Sequence, residues 1–243
     1  MPRKQKITTL ITAHREGLLA PASIRSAFRA MRMAKDAGYD VEVAALLDNS
    51  DDITTEIISE LMRDVGRVFE FSYGDVGRSR NEGVLNAAGD FVAFLDADDM
   101  WGANWLLEAA RCADSRSDDV IWHPEVNVYL GHSDHILHHQ DMEDDPFEPT
   151  SLMIENQWTA LSFGRRESYV SNPYPASSVA EGIGFEDWAW NMNVIINGAV
   201  HKVVRGTSHI VRKKRRASLS QATLKADGVP PFTGYPSFLI RSR

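Results

Sequence analysis

Apolar and polar positions alternate in blocks along the first hundred residues. Ile7 to Ala13 is a short apolar run of strand character. Ile24, Phe28 and Met31 then recur at helical spacing, and Gly38 supplies a stop. "YDVEVAALLDNSDD" is a second apolar run, ending in Asp48, Asn49 and Ser50. After it Ile53, Ile57, Leu61 and Val65 fall on one face of a second helix. "RVFEFS" is a third, shorter strand. "GRSRNEGVLNAAG" is a third helix, entered through Gly77 and closed by Gly89. "DFVAFLDADD" is a fourth strand, and "GANWLLEAARCADS" the helix that follows. Strands alternating with helices predict an α/β fold with a mainly parallel sheet and helices on both faces. The strands are nearly continuous apolar runs, as burial on two sides requires.

The second half is less regular. "DDVIWHPEVNVYLGHSDHILHHQDMEDDPFEP" reads as strands with a hairpin at Gly131, followed by an acidic loop. "GFEDWAWNMNVIINGA" predicts a helix with Phe185, Trp188, Met192 and Ile195 on one face and Gly198 as its end. "VHKVVRGTSHIVRKKRRASLS" is strand-like, with a polar interruption at Gly206 to Ser208. From Gln221 on, Pro230, Pro231, Gly234 and Pro236 predict an extended wrap or a mobile end. No internal repeat or low-complexity linker divides the 243 residues. The expectation is one domain over 1–243, with a first half at 1–101, a second at 102–220 and a tail at 221–243.

Composition narrows the function classes. The chain is 43% hydrophobic and 25% charged, ordinary for a globular protein. Its net charge of −8 argues against wholesale nucleic-acid binding, despite the basic run "RKKRR" at Arg212 to Arg216. The lone cysteine, Cys112, forms no internal disulfide and lies in a helical pattern, where packing is its expected use. Neither a signal peptide nor an apolar stretch of transmembrane length is legible, which points to a cytoplasmic protein, at most peripheral to the inner face of a membrane. The histidines at 123, 132, 135, 138 and 139 fit no structural zinc spacing and read as hairpin and loop residues.

Candidate chemistry gathers at the strand ends. In open α/β sheets, ligands bind outside the carboxyl ends of the strands. Here those ends carry His14, Arg15 and Glu16, then Asp48, Asn49 and Ser50, then Asp96, Asp98 and Asp99. In an extended segment Asp96 and Asp98 point to one side. Hard oxygen ligands on a short loop suit Mg²⁺ or Mn²⁺, above all when a diphosphate supplies further oxygens. Taken alone, the same aspartates could equally be a polar turn capping the next helix.

The surrounding block weighs for the metal. "GRSRNEGVLNAAGDFVAFLDADD" resembles the signature of family 2 glycosyltransferases of the GT-A fold: Arg80, Asn81, Gly83, Ala87, Gly89, Asp90, Asp96 and Asp98 match its Arg-Asn pair, glycines, turn and D-x-D motif. "TTLITAHRE" and "VAALLDNSDD" resemble that family's first two strand ends, and "GFEDWAW" its Glu-Asp motif at the start of a helix. The resemblance spans Ile7 to Ser220. It implies a GT-A fold with a nucleotide-sugar half and an acceptor half, an NDP-sugar donor of unspecified base, a divalent cation on the diphosphate, and inverting transfer to a hydroxyl of a carbohydrate, lipid-linked or other acceptor. A homodimer is compatible with it. It further implies Thr12, Ala13 and Glu16 along the nucleotide site, Asp48 facing the base, and Arg80 near the ribose or diphosphate. Asp96 would lie near ribose and metal, and Asp98 on the metal. Asp187 would be the general base, with Glu186 beside it. Asn156, Trp158 and Arg165 would border the acceptor. Trp190, which flanks the Glu-Asp pair, reads either as a core residue or as one that borders an acceptor sugar.

The chain departs from that pattern twice. The commoner second strand end has an Asp-Asp-Gly-Ser turn, whose first Asp corresponds to Leu47 here. Many relatives also carry a metal-binding histidine shortly before a terminal Ser-Leu-Ser-like segment. Here His209 lies further upstream, and Arg215 or Arg216 holds the nearest position. Either His209 reaches the metal by another path, or arginine pairs directly with the diphosphate, for which its fork is suited. Two rivals remain: a nucleotide-sugar-binding protein without transfer, and a sugar-phosphate nucleotidyltransferase, whose usual glycine-rich basic loop "TAHREGLLAP" does not match.

Overall fold

The computed structural model describes residues 5–131, 134–144, 147–178, 181, 183–213 and 219–241. Its first half is the expected alternation: β1 (Lys6–Ala13), α1 (Ala20–Asp36), β2 (Asp40–Asp48), α2 (Asp52–Met62), β3 (Arg67–Phe71), α3 (Val76–Leu85), β4 (Phe91–Asp96), a short β5 (Met100–Trp101) and α4 (Trp105–Asp114). The second half supplies β6 (Val120–Gly131), β7 (His135–His138), β8 (Phe163–Arg165), α5 (Arg166–Ser171), α6 (Glu186–Ile196), β9 (Val200–Lys213), α7 (Leu219–Lys225) and α8 (Tyr235–Arg241). All the strands share one sheet, ordered β3-β2-β1-β4-β8-β6-β9-β5, with β7 paired to β6. β3, β2, β1 and β4 run parallel. β8 joins antiparallel to both β4 and β6, and β6 with β9 is parallel again.

The parallel register puts Thr12 of β1 opposite Asp96 of β4, and Ala13 opposite Leu47 of β2. The polar strand ends therefore lie on one edge. Ile7, Ile11, Val43, Ala45, Phe91 and Leu95 fill the core on one side of the sheet, against α1 and α4. Leu10, Ala44, Leu46, Val92 and Phe94 fill it on the other.

The signature block has a physical reason at each step. The Asn81 amide clamps the backbone of Tyr174, donating to its carbonyl at 2.9 Å and accepting from its N–H at 2.8 Å. A Cβ on Gly83 would lie 2.5 Å from a Leu46 methyl, so a larger residue would force that side chain aside where α3 packs on the sheet. A Cβ on Gly89 would lie 2.6 Å from the Thr8 nitrogen, where the turn crosses β1. Asp90 then accepts the Lys6 N–H at 2.9 Å and starts β1 and β4 in register.

Four expectations are corrected. On α2 the buried residues are Thr54, Ile58 and Met62, while Ile53 and Val65 are exposed. Thr54 accepts the Gly17 N–H at 2.9 Å, which turns that face inward. The tail is not an extended wrap: it forms α7 and α8, and Tyr235 is fully buried with its hydroxyl donating to the Pro149 carbonyl at 3.1 Å. The interruption at Gly206–Ser208 leaves β9 unbroken; it is absorbed by a register shift opposite Pro124 and Val126, with Gly206 at φ 73°. His123 and His139 are core residues. His123 Nε2 meets His201 Nδ1 at 2.8 Å, and His139 Nδ1 donates to the Pro124 carbonyl at 2.8 Å. Burial holds these rings neutral, with His139 lowered to about 4 and His201 to about 3. His135 and His138 do lie on the hairpin strand β7; His132 lies outside the described residues.

Candidate active site

A cavity of about 460 Å³ opens at the carboxyl edge of the parallel strands. Thr12, Ala13, His14, Glu16, Asp48, Arg80, Asp96, Asp98, Glu186 and Asp187 all line it. It gathers residues from β1, β2, α3, β4 and α6, elements spread over most of the chain.

The floor is organised around Arg80, which is 3% exposed. One guanidinium nitrogen donates to Glu186 at 2.9 Å and another to Asp96 at 3.1 Å. Burial works against its charge, but the Asp96 and Glu186 carboxylates more than offset that, so its pKa is raised. The implied contact with ribose or diphosphate is thereby refined: Arg80 ties the end of β4 to the start of α6. Asp96 also accepts from the Thr12 hydroxyl.

Asp48 holds a loop. Its carboxylate accepts the backbone N–H groups of Tyr73, Gly74 and Asp75 at 2.7, 3.0 and 2.9 Å. Gly74 at φ 63° allows that wrap. The N-cap of α2 is Asp51, accepting from the Thr54 N–H at 2.9 Å. Leu47, where relatives place the first Asp of the turn, is buried in the core.

Glu186 and Asp187 open α6 directly after Phe185, whose left-handed backbone (φ 57°) is costly for a non-glycine residue, on the order of 1–3 kcal/mol. That bend aims both carboxylates into the cavity. Asp187 Oδ1 accepts the Trp188 N–H at 2.9 Å and Oδ2 accepts from the Asn156 amide at 3.2 Å. Burial first, and then the charge of Glu186, push Asp187 up to about 7. Arg80 pulls the other way.

Some implied site residues lie elsewhere. His209 is fully buried, stacked on Trp101 at 6.2 Å and edge-on to Trp105 at 4.8 Å, and it does not line the cavity. Its position on β9 opposite Trp101 of β5 turns it into the core, so it is no metal ligand in this arrangement. Trp158 and Trp190 are each 1% exposed and cannot border an acceptor. Arg165 packs over the Phe91 ring and donates to the Arg116 carbonyl at 3.2 Å, away from the cavity. Arg215 lies outside the described residues; its neighbours Arg212 and Lys213 line the cavity. The Arg212 N–H donates to Asp99 at 2.8 Å.

His14 and Thr223 are lining residues to which the sequence assigned no role. His14 was visible as a polar strand end, and its Nδ1 meets the Asp48 carbonyl at 2.6 Å. Thr223 carried no signal: α7 folds over Gly184, where an added Cβ would lie 2.4 Å from the Thr223 methyl.

The donor set suits a hard cation. Asp96 and Asp98 bring carboxylates to the same wall. Among the described residues, no three His, Cys, Asp or Glu side chains converge to hold a metal by themselves. Diphosphate oxygens and water would complete such a shell, the usual arrangement for Mg²⁺ and for Mn²⁺ with oxygen ligands. No helix among the described residues is long and apolar enough to cross a membrane.

Comparison with known proteins agrees with this geometry. The chain is 35% identical over 109 residues to an uncharacterized glycosyltransferase, alr2836, of Nostoc sp. (strain PCC 7120); the match covers 43% of this chain and 29% of that protein. The fold matches S. aureus TarS 1–349, solved with UDP-GlcNAc, at a TM-score of 0.68 and 17% identity over 88% of this chain and 60% of that one. It also matches a mannosyltransferase of Pyrobaculum calidifontis, PcManGT, solved with GDP-Man and Mn²⁺, at 0.60 and 15% identity over 98% and 69%. GalNAc-T7, solved with UDP, GalNAc and Mn²⁺, matches at 0.63 and 15% identity over 93% and 47%. The chain thus spans under a third of the curated relative and 60% of the TarS structure. The family model for glycosyl transferase family 2 matches residues 8–167, from the start of β1 into α5, and with the GT-A fold around this cavity the chain belongs to that family.

Proposed function

We propose that the chain transfers a sugar, with inversion, from an NDP-sugar to an acceptor hydroxyl, and that Asp187 is the general base. The observation that carries this reading is the Asp187 carboxylate, raised to about 7 and facing the same cavity as Asp96 and Asp98. A base works best with a pKa near the operating pH. Single displacement needs one such carboxylate, because no covalent sugar intermediate forms. The acceptor oxygen attacks the anomeric carbon, its proton passes to Asp187, and the bond to the diphosphate breaks with the electron pair leaving on the diphosphate oxygen.

Thr12, Ala13 and Glu16, which line the cavity, would contact the donor, and Asp48 would shape its site by holding the loop at residues 73–75. Asp96 and Asp98 would hold Mg²⁺ or Mn²⁺, with Mn²⁺ supported by two of the fold relatives. When bound, the cation neutralises charge on the leaving diphosphate. Arg212 and Lys213, which line the cavity, would add cationic donors; Arg215, outside the described residues, is proposed for the same role on the sequence alone. The UDP- and GDP-sugar complexes among the fold relatives support a nucleotide sugar and leave the base open.

A thermal-shift panel of UDP-, GDP- and dTDP-sugars with and without Mn²⁺ tests donor binding. Stabilisation by a nucleotide sugar that grows with Mn²⁺ is expected. Product formation from that donor on a panel of carbohydrate and lipid-linked acceptors tests transfer. Donor binding without transfer or slow donor hydrolysis would favour the binding-only rival. Pyrophosphate release from a nucleoside triphosphate and a sugar phosphate would favour the nucleotidyltransferase.

A further inference from the structure

Asn156 lines the cavity with its oxygen and one amide N–H already engaged by the protein. Its Nδ2 donates to Asp187 Oδ2 at 3.2 Å, and its Oδ1 accepts from Asn191 Nδ2 at 2.8 Å. Asn191 is 1% exposed, lies one turn after Asp187 on α6, and also donates from Nδ2 to the Trp158 carbonyl at 3.3 Å. A backbone carbonyl can only accept, so Trp158 turns the Asn191 NH₂ inward. That NH₂ can only donate, so it turns the Asn156 oxygen towards itself. The Asn156 NH₂ is then left pointing at Asp187. Reversing either amide would set donor against donor or acceptor against acceptor beside the buried Asn191, which costs more than the bond itself contributes.

We propose that Asn156, aligned by Asn191, is a positioning residue for the Asp187 carboxylate, rather than an acceptor contact. The proposal rests on the reading of Asp187 as general base. With Trp188 N–H on Oδ1 and Asn156 on Oδ2, both oxygens are held, and the carboxylate lines the cavity. The amide donor also favours the charged form of Asp187. It thus works with Arg80 of α3 against burial, the neighbouring Glu186 and the more distant Asp96 of β4. Tyr174 and Tyr129 also feel this carboxylate, their pKa values raised first by burial and further by its charge.

The test is the pH profile of kcat/KM for transfer in the full chain, with Asp187→Asn as control and thermal midpoints measured for every variant. For Asn156→Ala the acid limb is expected to move up by about one pH unit. Asn156→Asp, which sets a second carboxylate against the first, should move it further up. Asn191→Ala should move it in the same direction by less, and Asn156→Ala/Asn191→Ala no further than Asn156→Ala alone. An acid limb that stays in place while the acceptor KM rises would make Asn156 an acceptor contact and overturn the proposal. A fall in kcat with the limb unmoved overturns it equally. If Asp187→Asn still transfers at near the wild-type rate in a single turnover, the base reading fails and this proposal with it. A dead Asp187→Asn with unmoved limbs sinks the positioning role alone.

Discussion

Two carboxylate pairs face the cavity from opposite halves of the chain, and their surroundings differ. Asp96 ends a parallel strand, and its side chain keeps a third of its surface. It is paired with the Arg80 cation and accepts from the Thr12 hydroxyl. Glu186 and Asp187 start a helix, and the Glu186 side chain is 7% exposed. There Asp187, itself half-buried, is pushed up to about 7 by burial and by the Glu186 charge beside it. A carboxylate paired with a cation and open to solvent can serve a metal. One packed beside a like charge gains from taking a proton. One guanidinium bridges the two pairs, so the difference is set by solvent and neighbours rather than by residue type.

Abolishing the proton-accepting side should have the largest effect. Asp187→Asn is expected to lower transfer by roughly 10²–10⁴-fold while leaving donor affinity in place, read by single-turnover transfer beside calorimetry. In the wild type kcat/KM should fall as pH drops below about 7, where Asp187 protonates. Stability gives an independent reading. A pKa raised from 3.8 to about 7 means the folded state holds this proton more tightly than the unfolded chain. Stability therefore falls as pH rises through that window. Asn at 187 should be near neutral at pH values below the window and raise the thermal midpoint above it. Equal midpoints on both sides would show that Asp187 is not desolvated.

Removing the bridge comes next. Arg80→Met leaves Glu186 buried without its cation, and breaking a buried pair from one side costs about 3–5 kcal/mol. The thermal midpoint should drop by roughly 6–20 °C in a chain of this size. A drop under a degree or so would mean that the two pairs are held apart by the backbone alone. Asp98→Ala acts only on the wet pair. It should remove the gain in nucleoside diphosphate affinity on adding Mn²⁺ and leave metal-free affinity and thermal midpoint nearly unchanged. Calorimetry that finds the Mn²⁺ gain intact would take the cation away from this motif.

The wet pair was legible in the sequence and the desolvated one only in outline, for a physical reason. Asp96, Asp98, Arg80, Asn81, Gly83 and Gly89 lie within twenty residues of one another, and local geometry dictates them: a strand end, a helix that must approach the sheet closely, a turn against β1. The β-α alternation that places them is equally local. The environment of Asp187 depends on Arg80 and Asn156, which tertiary packing brings to it from 107 and 31 residues away. No periodicity carries that. The α2 stripe was misread by one residue because Thr54, polar by type, faces inward to accept the Gly17 N–H. The tail reads as extended because its prolines and glycine surround Tyr235, whose burial under the short 3₁₀ turn Pro149–Met153 and α6 is a long-range event.

His209 sharpens the comparison with the smallest effect. The sequence offered it as a third ligand on the wet side, whereas the fold stacks it on Trp101 and sets it edge-on to Trp105, with burial holding it neutral and both ring nitrogens without partners among the described residues. A buried imidazole without hydrogen bonds contributes as an aromatic and carries an unmet desolvation cost. His209→Phe preserves the ring and removes those two nitrogens. It should therefore leave Mn²⁺-dependent nucleoside diphosphate affinity unchanged and keep or slightly raise the thermal midpoint. Loss of the Mn²⁺ dependence in His209→Phe, at an unchanged midpoint, would require β9 to rearrange when the cation binds. The wet pair would then have a protein ligand that the present register of β9 on β5 turns away from it.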